Sequence, residues 1–366
     1  MIRSESKDKR TVHGGRVYAA ARKWGIDPGD VVDFSANINP DGPPQAVLAA
    51  LIDSIKSIRS YPDLSVLIEA LSDRLGVPRD CITVGNGSTA LIFAAVRALC
   101  PRNALLLEPA FAEYGRALQT MGTHIDSVVL SPDNNFLPDW DILNRELQTA
   151  ARDLIIINNP HNPSGALINR EDLLRFARHA KSNGTAVIID EAFIDYVPES
   201  STLPLIVELD NTIVLRSLTK FYSIPGLRIG YAVCHPDIAL RLQAQTETWP
   251  VSAPAIDAAM ASLSDNDFDE LARNRNLASR NEFATHLSEL PDVKVFPSSA
   301  NFLLIKLENR DCRLLAEWLE QFHILIRLCD SFEGLNSEYA RLAMLKPEHN
   351  MKLVNLIGQW LIKQNE

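Results

Sequence analysis

Short apolar runs at 104–107, 125–130, 154–157, 186–189, 212–215 and 229–233 alternate with stretches of helical spacing such as 171–181. Runs this brief, apolar on both faces and interleaved with helices, are what central strands of a mostly parallel sheet require, because helices cover both sides of such a sheet. The fold class expected is therefore α/β. In a sheet of this kind ligands settle beyond the carboxyl ends of the strands. The residues just after each run are where chemistry should be sought.

The flanking patterns differ from this centre. Helical spacing at 46–58 and 64–75 leads into it. Beyond 245, Trp249-Pro250 and Ala253-Pro254 break the chain. A long polar helical pattern at 267–290 and strand-like pieces at 293–296, 302–307, 324–327 and 339–344 follow. This predicts a large domain over 46–245 and a smaller α+β domain over 246–366. Residues 1–45 hold only a short helical pattern at 17–24 and a turn-rich end, Asn39-Pro40-Asp41-Gly42-Pro43-Pro44. They cannot bury much surface alone, so they are expected to pack as an arm against the small domain or a neighbouring subunit.

Charge and cysteines narrow the function. Lys+Arg 36 against Asp+Glu 46 leaves a net charge of −10, which argues against a nucleic-acid binder working by phosphate neutralisation. No apolar run approaches the roughly 20 residues of a membrane span, and residues 1–10 lack the apolar centre of a signal peptide. Cys81, Cys100, Cys234, Cys312 and Cys329 are odd in number and widely spaced, which suits reduced thiols in the cytoplasm. The histidines show no ligand spacing, so no metal is expected.

Four strand ends carry candidate chemistry. After the run at 212–215 comes Ser217-Leu218-Thr219-Lys220, with Arg228 eight residues beyond the lysine. A lysine among hydroxyls with an arginine nearby suits an aldehyde cofactor that bears a phosphate: the amine forms a Schiff base, and Ser217, Thr219 and Arg228 hold the phosphate. A surface lysine beside an unrelated arginine is the plainer alternative. Asp190-Glu191-Ala192-Phe193 follows 186–189; a carboxylate leaving an apolar strand needs a cation, either a protonated pyridine nitrogen or a salt-bridge partner. Asn158-Asn159-Pro160-His161-Asn162-Pro163-Ser164-Gly165 makes a rigid turn that can aim the Asn162 amide, or serve only as a turn. Gly85-Asn86-Gly87-Ser88-Thr89-Ala90 opens a helical run, and free N–H groups there can bind phosphate. It also reads GxGxxA with Glu108 about twenty residues later, a nicotinamide-type rival that leaves Asp190, Lys220 and Arg228 unused.

Together these motifs, with Gly226-Leu227-Arg228-Ile229-Gly230-Tyr231, resemble the fold-type I, class I/II aminotransferase superfamily. The resemblance implies the aspartate aminotransferase-like fold of pyridoxal 5'-phosphate (PLP)-dependent transferases. Within it, His13-Gly14-Gly15, the stretch Asp33 to Pro40 and Pro109-Ala110-Phe111-Ala112-Glu113-Tyr114 resemble the threonine-phosphate decarboxylases of cobalamin biosynthesis. Residue by residue, the resemblance implies that Lys220 carries PLP, Asp190 pairs with the pyridine nitrogen and Asn162 bonds the phenolic oxygen. It assigns Gly87, Ser88, Thr89, Ser217, Thr219 and Arg228 to the cofactor phosphate region, and Phe111 and Phe193 to further cofactor contacts. Tyr61 would reach the phosphate from a neighbouring subunit, implying a homodimer with shared sites. Arg341 would clamp the substrate carboxylate with Arg327 beside it, His13 and Asn37, helped by Arg327, would take the substrate's phosphate, and Gly14 would also line the substrate site.

The implied reaction is decarboxylation of O-phospho-L-threonine to (R)-1-aminopropan-2-ol O-phosphate. Histidinol-phosphate aminotransferases share most of these residues and set the alternative, transamination of a phosphorylated amine. They typically carry Tyr where this chain has Phe193, as the decarboxylases do. The chain departs from the decarboxylase pattern at Ser88, more often Glu, at His161, more often Asn, and at Leu345, near which a basic residue is usual.

Overall fold

A computed structural model describes residues 13–149, 151–203 and 209–365. The first strand, β1 (Val32–Asp33), lies in the arm. Strands β2 (Ile82–Gly85), β3 (Asn103–Glu108), β4 (His124–Val129), β5 (Leu154–Asn158), β6 (Ala186–Asp190), β7 (Thr212–Ser217) and β8 (Gly230–Cys234) form one seven-stranded sheet. Its order is β2-β8-β7-β6-β5-β3-β4. The neighbours from β7 to β4 run parallel, whereas β8 is antiparallel to both β7 and β2. Each expected run is a strand; β2 was not anticipated, and β4 is a half-exposed edge strand, not a central one.

Side-chain alternation splits the sheet's core in two. Leu105, Ile155, Ile157, Val187, Ile189 and Val214 enter one cluster with the helices Ser65–Leu75 and Arg170–Ser182. Leu106, Ile156, Ile188, Ile213 and Leu215 enter the other, with Gly87–Leu99 and Ala112–Thr120. A strand that buries every residue must be apolar throughout, and each fully buried Leu or Ile contributes about 1.5–3 kcal/mol. The nicotinamide rival fails on topology. Four strands separate β2 from β3, so the glycine motif opens no parallel βαβ unit with its successor.

A second sheet joins β9 (Val293–Val295), β10 (Phe302–Leu307), β12 (Arg327–Leu328) and β13 (Tyr339–Ala343) in the antiparallel order β12-β13-β10-β9. The apolar run at 324–327 is divided: β11 (Ile324–Leu325) leaves this sheet and pairs in parallel with β1. Phe34 packs in the core of the second sheet, and its N–H donates to the Leu325 carbonyl at 2.8 Å. Five residues on, the Asn39 N–H donates to the Lys220 carbonyl at 3.0 Å and its Nδ2 to Phe221 O at 2.9 Å. The arm thereby joins the small sheet to the short helix Leu218–Phe221 that follows β7. The helix Ala253–Leu263 contributes Ala255, Ile256, Ala258 and Ala259 to the core of the large sheet. Among the described residues no helix is long and apolar enough to cross a membrane.

Candidate active site

A cavity of about 1580 Å³ opens at the carboxyl ends of β5, β6 and β7, where the second sheet and the arm close over the first. Asp190, the last residue of β6, lines it and is buried. Its Oδ2 accepts from the Tyr114 hydroxyl at 2.7 Å and its Oδ1 from the Ala192 N–H at 3.0 Å. Burial raises its pKa, with Glu191 adding to the rise, while Tyr114, Ala192 and Lys220 hold it back. Asn158, ending β5, donates to the Asp190 carbonyl at 2.7 Å and accepts from the Asn162 N–H at 2.7 Å. The Asn-Pro turn is thus pinned to the strand end beside it.

Lys220 follows β7, half-buried in the cavity wall, with Nζ 3.3 Å from Thr219 Oγ1. Burial and then the Arg228 guanidinium push its pKa down to about 8; Arg341 adds to this and Asp190 opposes it. An amine titrating there is neutral in about a tenth of molecules at pH 7, against a negligible fraction at the usual lysine value.

An anion cradle lies beside it. The helix Gly87–Leu99 begins at Asn86 with no side-chain cap, so its first N–H groups stay available. Gly87 has φ +77°, and a Cβ added to it would lie 2.5 Å from Arg228 Nη2. A Cβ on Gly230 would lie 2.7 Å from the Ser88 nitrogen. Both positions require glycine so that the helix start, Arg228 and β8 can meet. Ser88 and Thr89 face the cavity, and Ser217 Oγ and Thr219 Oγ1 share a hydrogen bond of 2.8 Å next to it.

Opposite Lys220 stand two buried arginines from the second sheet, paired in register across β12 and β13. Arg341 donates to Asn162 Oδ1 at 2.5 Å and to the Ser35 carbonyl at 2.9 Å, and lies over the Phe302 ring. Arg327 donates to the Leu328 carbonyl and to Ser331 Oγ, and lies over Phe332. Burial lowers the pKa of both, Arg341's to about 10. Among the described residues neither forms an ion pair. A buried cation facing a cavity without a counter-charge is poised for an anionic ligand.

The other expected residues are placed as follows. His13 lies at the rim, its Nε2 donating to Glu113 Oε1 at 2.9 Å and its ring 5.6 Å from that of Phe111. Gly14 packs directly on the Ser35 carbonyl, leaving no room for a Cβ. Asn37 is buried in the wall, and its Oδ1 has no hydrogen-bond partner among the described residues. Phe111 meets Tyr114 edge-on, and Phe193 meets Phe302 likewise, with no hydroxyl at that point of the wall. Tyr61 is not in this cavity; it is exposed and stacks flat on Trp249 with 3.9 Å between ring centres. His161, buried and held near pKa 4 by desolvation, bridges Ser164 Oγ and the Pro109 carbonyl.

Sequence reasoning singled out neither Tyr114 nor Asn158 nor Ser35 as site residues, although all three touch those it named. Tyr114 sits inside the quoted Pro109–Tyr114 motif, so its place in that motif was the available signal. Ser35 likewise sits inside the quoted Asp33–Pro40 stretch, but its contact with Arg341, across 306 residues of chain, could not be read from it.

The arrangement is that of a PLP-type transferase, and a profile described as "Aminotransferase class I and II" matches residues 29–357. The chain belongs to this family, whose members depend on PLP and share the aspartate aminotransferase-like fold expected above. It is 39% identical to the threonine-phosphate decarboxylase of Salmonella typhimurium over 350 residues, covering 94% of this chain and 95% of that one. The crystal structure of L-threonine-O-3-phosphate decarboxylase from Porphyromonas gingivalis superposes with a TM-score of 0.81 at 28% identity, covering 90% and 99%. Histidinol-phosphate aminotransferase from Clostridium acetobutylicum gives 0.85 at 29% identity, covering 92% and 100%.

Proposed function

We propose that this chain is a PLP-dependent decarboxylase of O-phospho-L-threonine, yielding (R)-1-aminopropan-2-ol O-phosphate for cobalamin assembly. The observation that carries the reading is the pair Arg327 and Arg341: two buried guanidinium groups, without ion partners among the described residues, face Lys220 across one cavity. A substrate bearing a carboxylate and a phosphate supplies one anion to each. The similarity to the Salmonella enzyme and the absent hydroxyl at Phe193 support decarboxylation.

The residues fit the cofactor. Arg228, the uncapped helix start and the hydroxyls of Ser88, Thr89 and Ser217 would hold its phosphate, Asp190 its ring nitrogen, Asn162 its phenolic oxygen and Phe111 its ring face. PLP, when bound, supplies an electron sink that lets a bond at the substrate's Cα break. Lys220 is the amine that would hold it, and the same amine would return a proton to Cα. The Tyr114 hydroxyl donates to Asp190 and opposes the rise in its pKa that burial causes. Arg341, oriented by Asn162 and Ser35, fixes the carboxylate and so selects the bond that breaks.

A homodimer is part of the proposal. Tyr61 stands outside its own cavity, near exposed Ile52, Ile55 and Ile58, an apolar surface suited to a second copy whose cavity Tyr61 would complete. All five cysteines are free, which fits a reducing cytoplasm.

Incubating the PLP-loaded protein with O-phospho-L-threonine tests the reading. CO2 release without any 2-oxo acid is expected; turnover only when a 2-oxo acid is present would replace it with the second reading. That second reading, an aminotransferase of a phosphorylated amine, is favoured by the likeness to the Clostridium enzyme. Lys220→Ala is expected to cut turnover by at least ~10³-fold. Cofactor capture by the apoprotein should accelerate as pH rises through about 8, because the neutral amine is the nucleophile; stopped-flow absorbance at several pH values would show it.

A further inference from the structure

Ser35 belongs to neither anion subsite of the proposed reading, yet it touches the machinery of both. Its carbonyl oxygen accepts from Arg341 Nη2 at 2.9 Å, and Asn162 Oδ1 accepts from Nη1 of the same guanidinium. The Arg341 plane is therefore set by two neutral oxygens, one of them Ser35's. On its other side, Ser35 Oγ accepts from the Gly15 N–H at 2.9 Å and donates to Asp33 Oδ1 at 2.5 Å. Asp33 Oδ1 also accepts from the Ser35 N–H at 2.8 Å, which closes a tight local turn. Gly14 lies against the Ser35 carbonyl with no space for a side chain, and His13, next to it, stands at the cavity rim. Two residues beyond, Asn37 presents a buried Oδ1 with no partner among the described residues. The segment 13–15 and Arg341 thus meet at a single buried peptide, so that a shift of one presses on the other.

We propose that Ser35 is a positioning residue that couples the two anion subsites, so that filling one strengthens the other. This rests on the proposed reading, in which Arg341 takes a carboxylate and the His13 segment faces a phosphate. The coupling makes the site selective for a molecule carrying both anions over molecules carrying either one. L-Threonine, which lacks the phosphate, and inorganic phosphate, which lacks the rest, are each recognised weakly alone.

The test uses the PLP-loaded protein and these two probes, with L-threonine binding followed by cofactor absorbance. Saturating inorganic phosphate should tighten L-threonine binding about fivefold or more. In Ser35→Ala the carbonyl to Arg341 remains but the acceptor for Gly15 is gone, and the coupling factor should fall to about one. Ser35→Thr, which keeps the hydroxyl, should restore it. Gly14→Ala pushes on the Ser35 carbonyl and should weaken L-threonine binding in the absence of phosphate, although Gly14 is assigned to the other subsite. A protein that binds both probes with a factor near one, or a Ser35→Ala protein with an unchanged factor, overturns the coupling and leaves the proposed function standing. A protein that binds neither probe overturns both.

Discussion

The buried arginines of this chain, Arg216 on one side and Arg327 and Arg341 on the other, are alike in burial but behave oppositely. Arg216, within β7, donates to Glu191 Oε2 at 3.1 Å and to Asp195 Oδ1 at 2.6 Å. Burial alone would lower its pKa, but Tyr231, Asp195 and Glu191 overcome that and raise it. Glu191 is in turn held by Ser201 and Thr202, each hydroxyl 2.7 Å away. Arg341 and Arg327 meet only neutral oxygens and aromatic faces, and their pKa values fall. A fold that supplies its own counter-charge has built a strut. A fold that withholds it at a cavity wall has left the charge for something that arrives from outside.

Substitutions can separate the two kinds. Arg216→Met leaves Glu191 and Asp195 without their cation, and we predict the largest loss of stability, about 3–5 kcal/mol, read from denaturant unfolding. Arg341→Met strands no opposite charge, only the neutral Asn162 and Ser35 oxygens, so the unfolding midpoint of the cofactor-free protein should fall much less than in Arg216→Met. Its KM for O-phospho-L-threonine should rise about a hundredfold, as loss of two charge-assisted hydrogen bonds implies. An unfolding midpoint that falls as far as in Arg216→Met would erase the distinction. Arg327→Gln should raise KM by about tenfold, because its guanidinium is already engaged by the Leu328 carbonyl and Ser331.

His161 gives the mildest contrast, a buried cation avoided altogether. Desolvation holds its folded pKa near 4, against 6.5 for a free imidazole. The unfolded chain therefore takes up a proton first as pH falls, so stability contributed by the neutral ring is complete above about 6.5 and declines toward 4. In His161→Asn that part of the pH slope should vanish. Comparing unfolding midpoints of the two proteins at several pH values between 4 and 7 checks it.

Much of the candidate site was legible in the sequence. Lys220, Asp190 and Asn162 each follow an apolar run, and a parallel sheet places such residues on one rim whatever the order of its strands. The strand order itself was not readable: β8 turning antiparallel, β2 joining at the edge and the 324–327 run dividing between two sheets are all decided by non-local pairing. Tyr114 against Asp190 and Ser35 against Arg341 were hidden for the same reason, lying 76 and 306 residues apart.

By itself the order of amino acids determined the α/β class and pointed to the lysine proposed to carry the cofactor and to the strand ends that line the candidate site, because periodicity and local motifs act over a few residues. Only the tertiary structure decided which charges are neutralised within the protein and which are kept open. That outcome depends on which distant carboxylates reach each guanidinium, and the chain settles it only when its two sheets and arm close together.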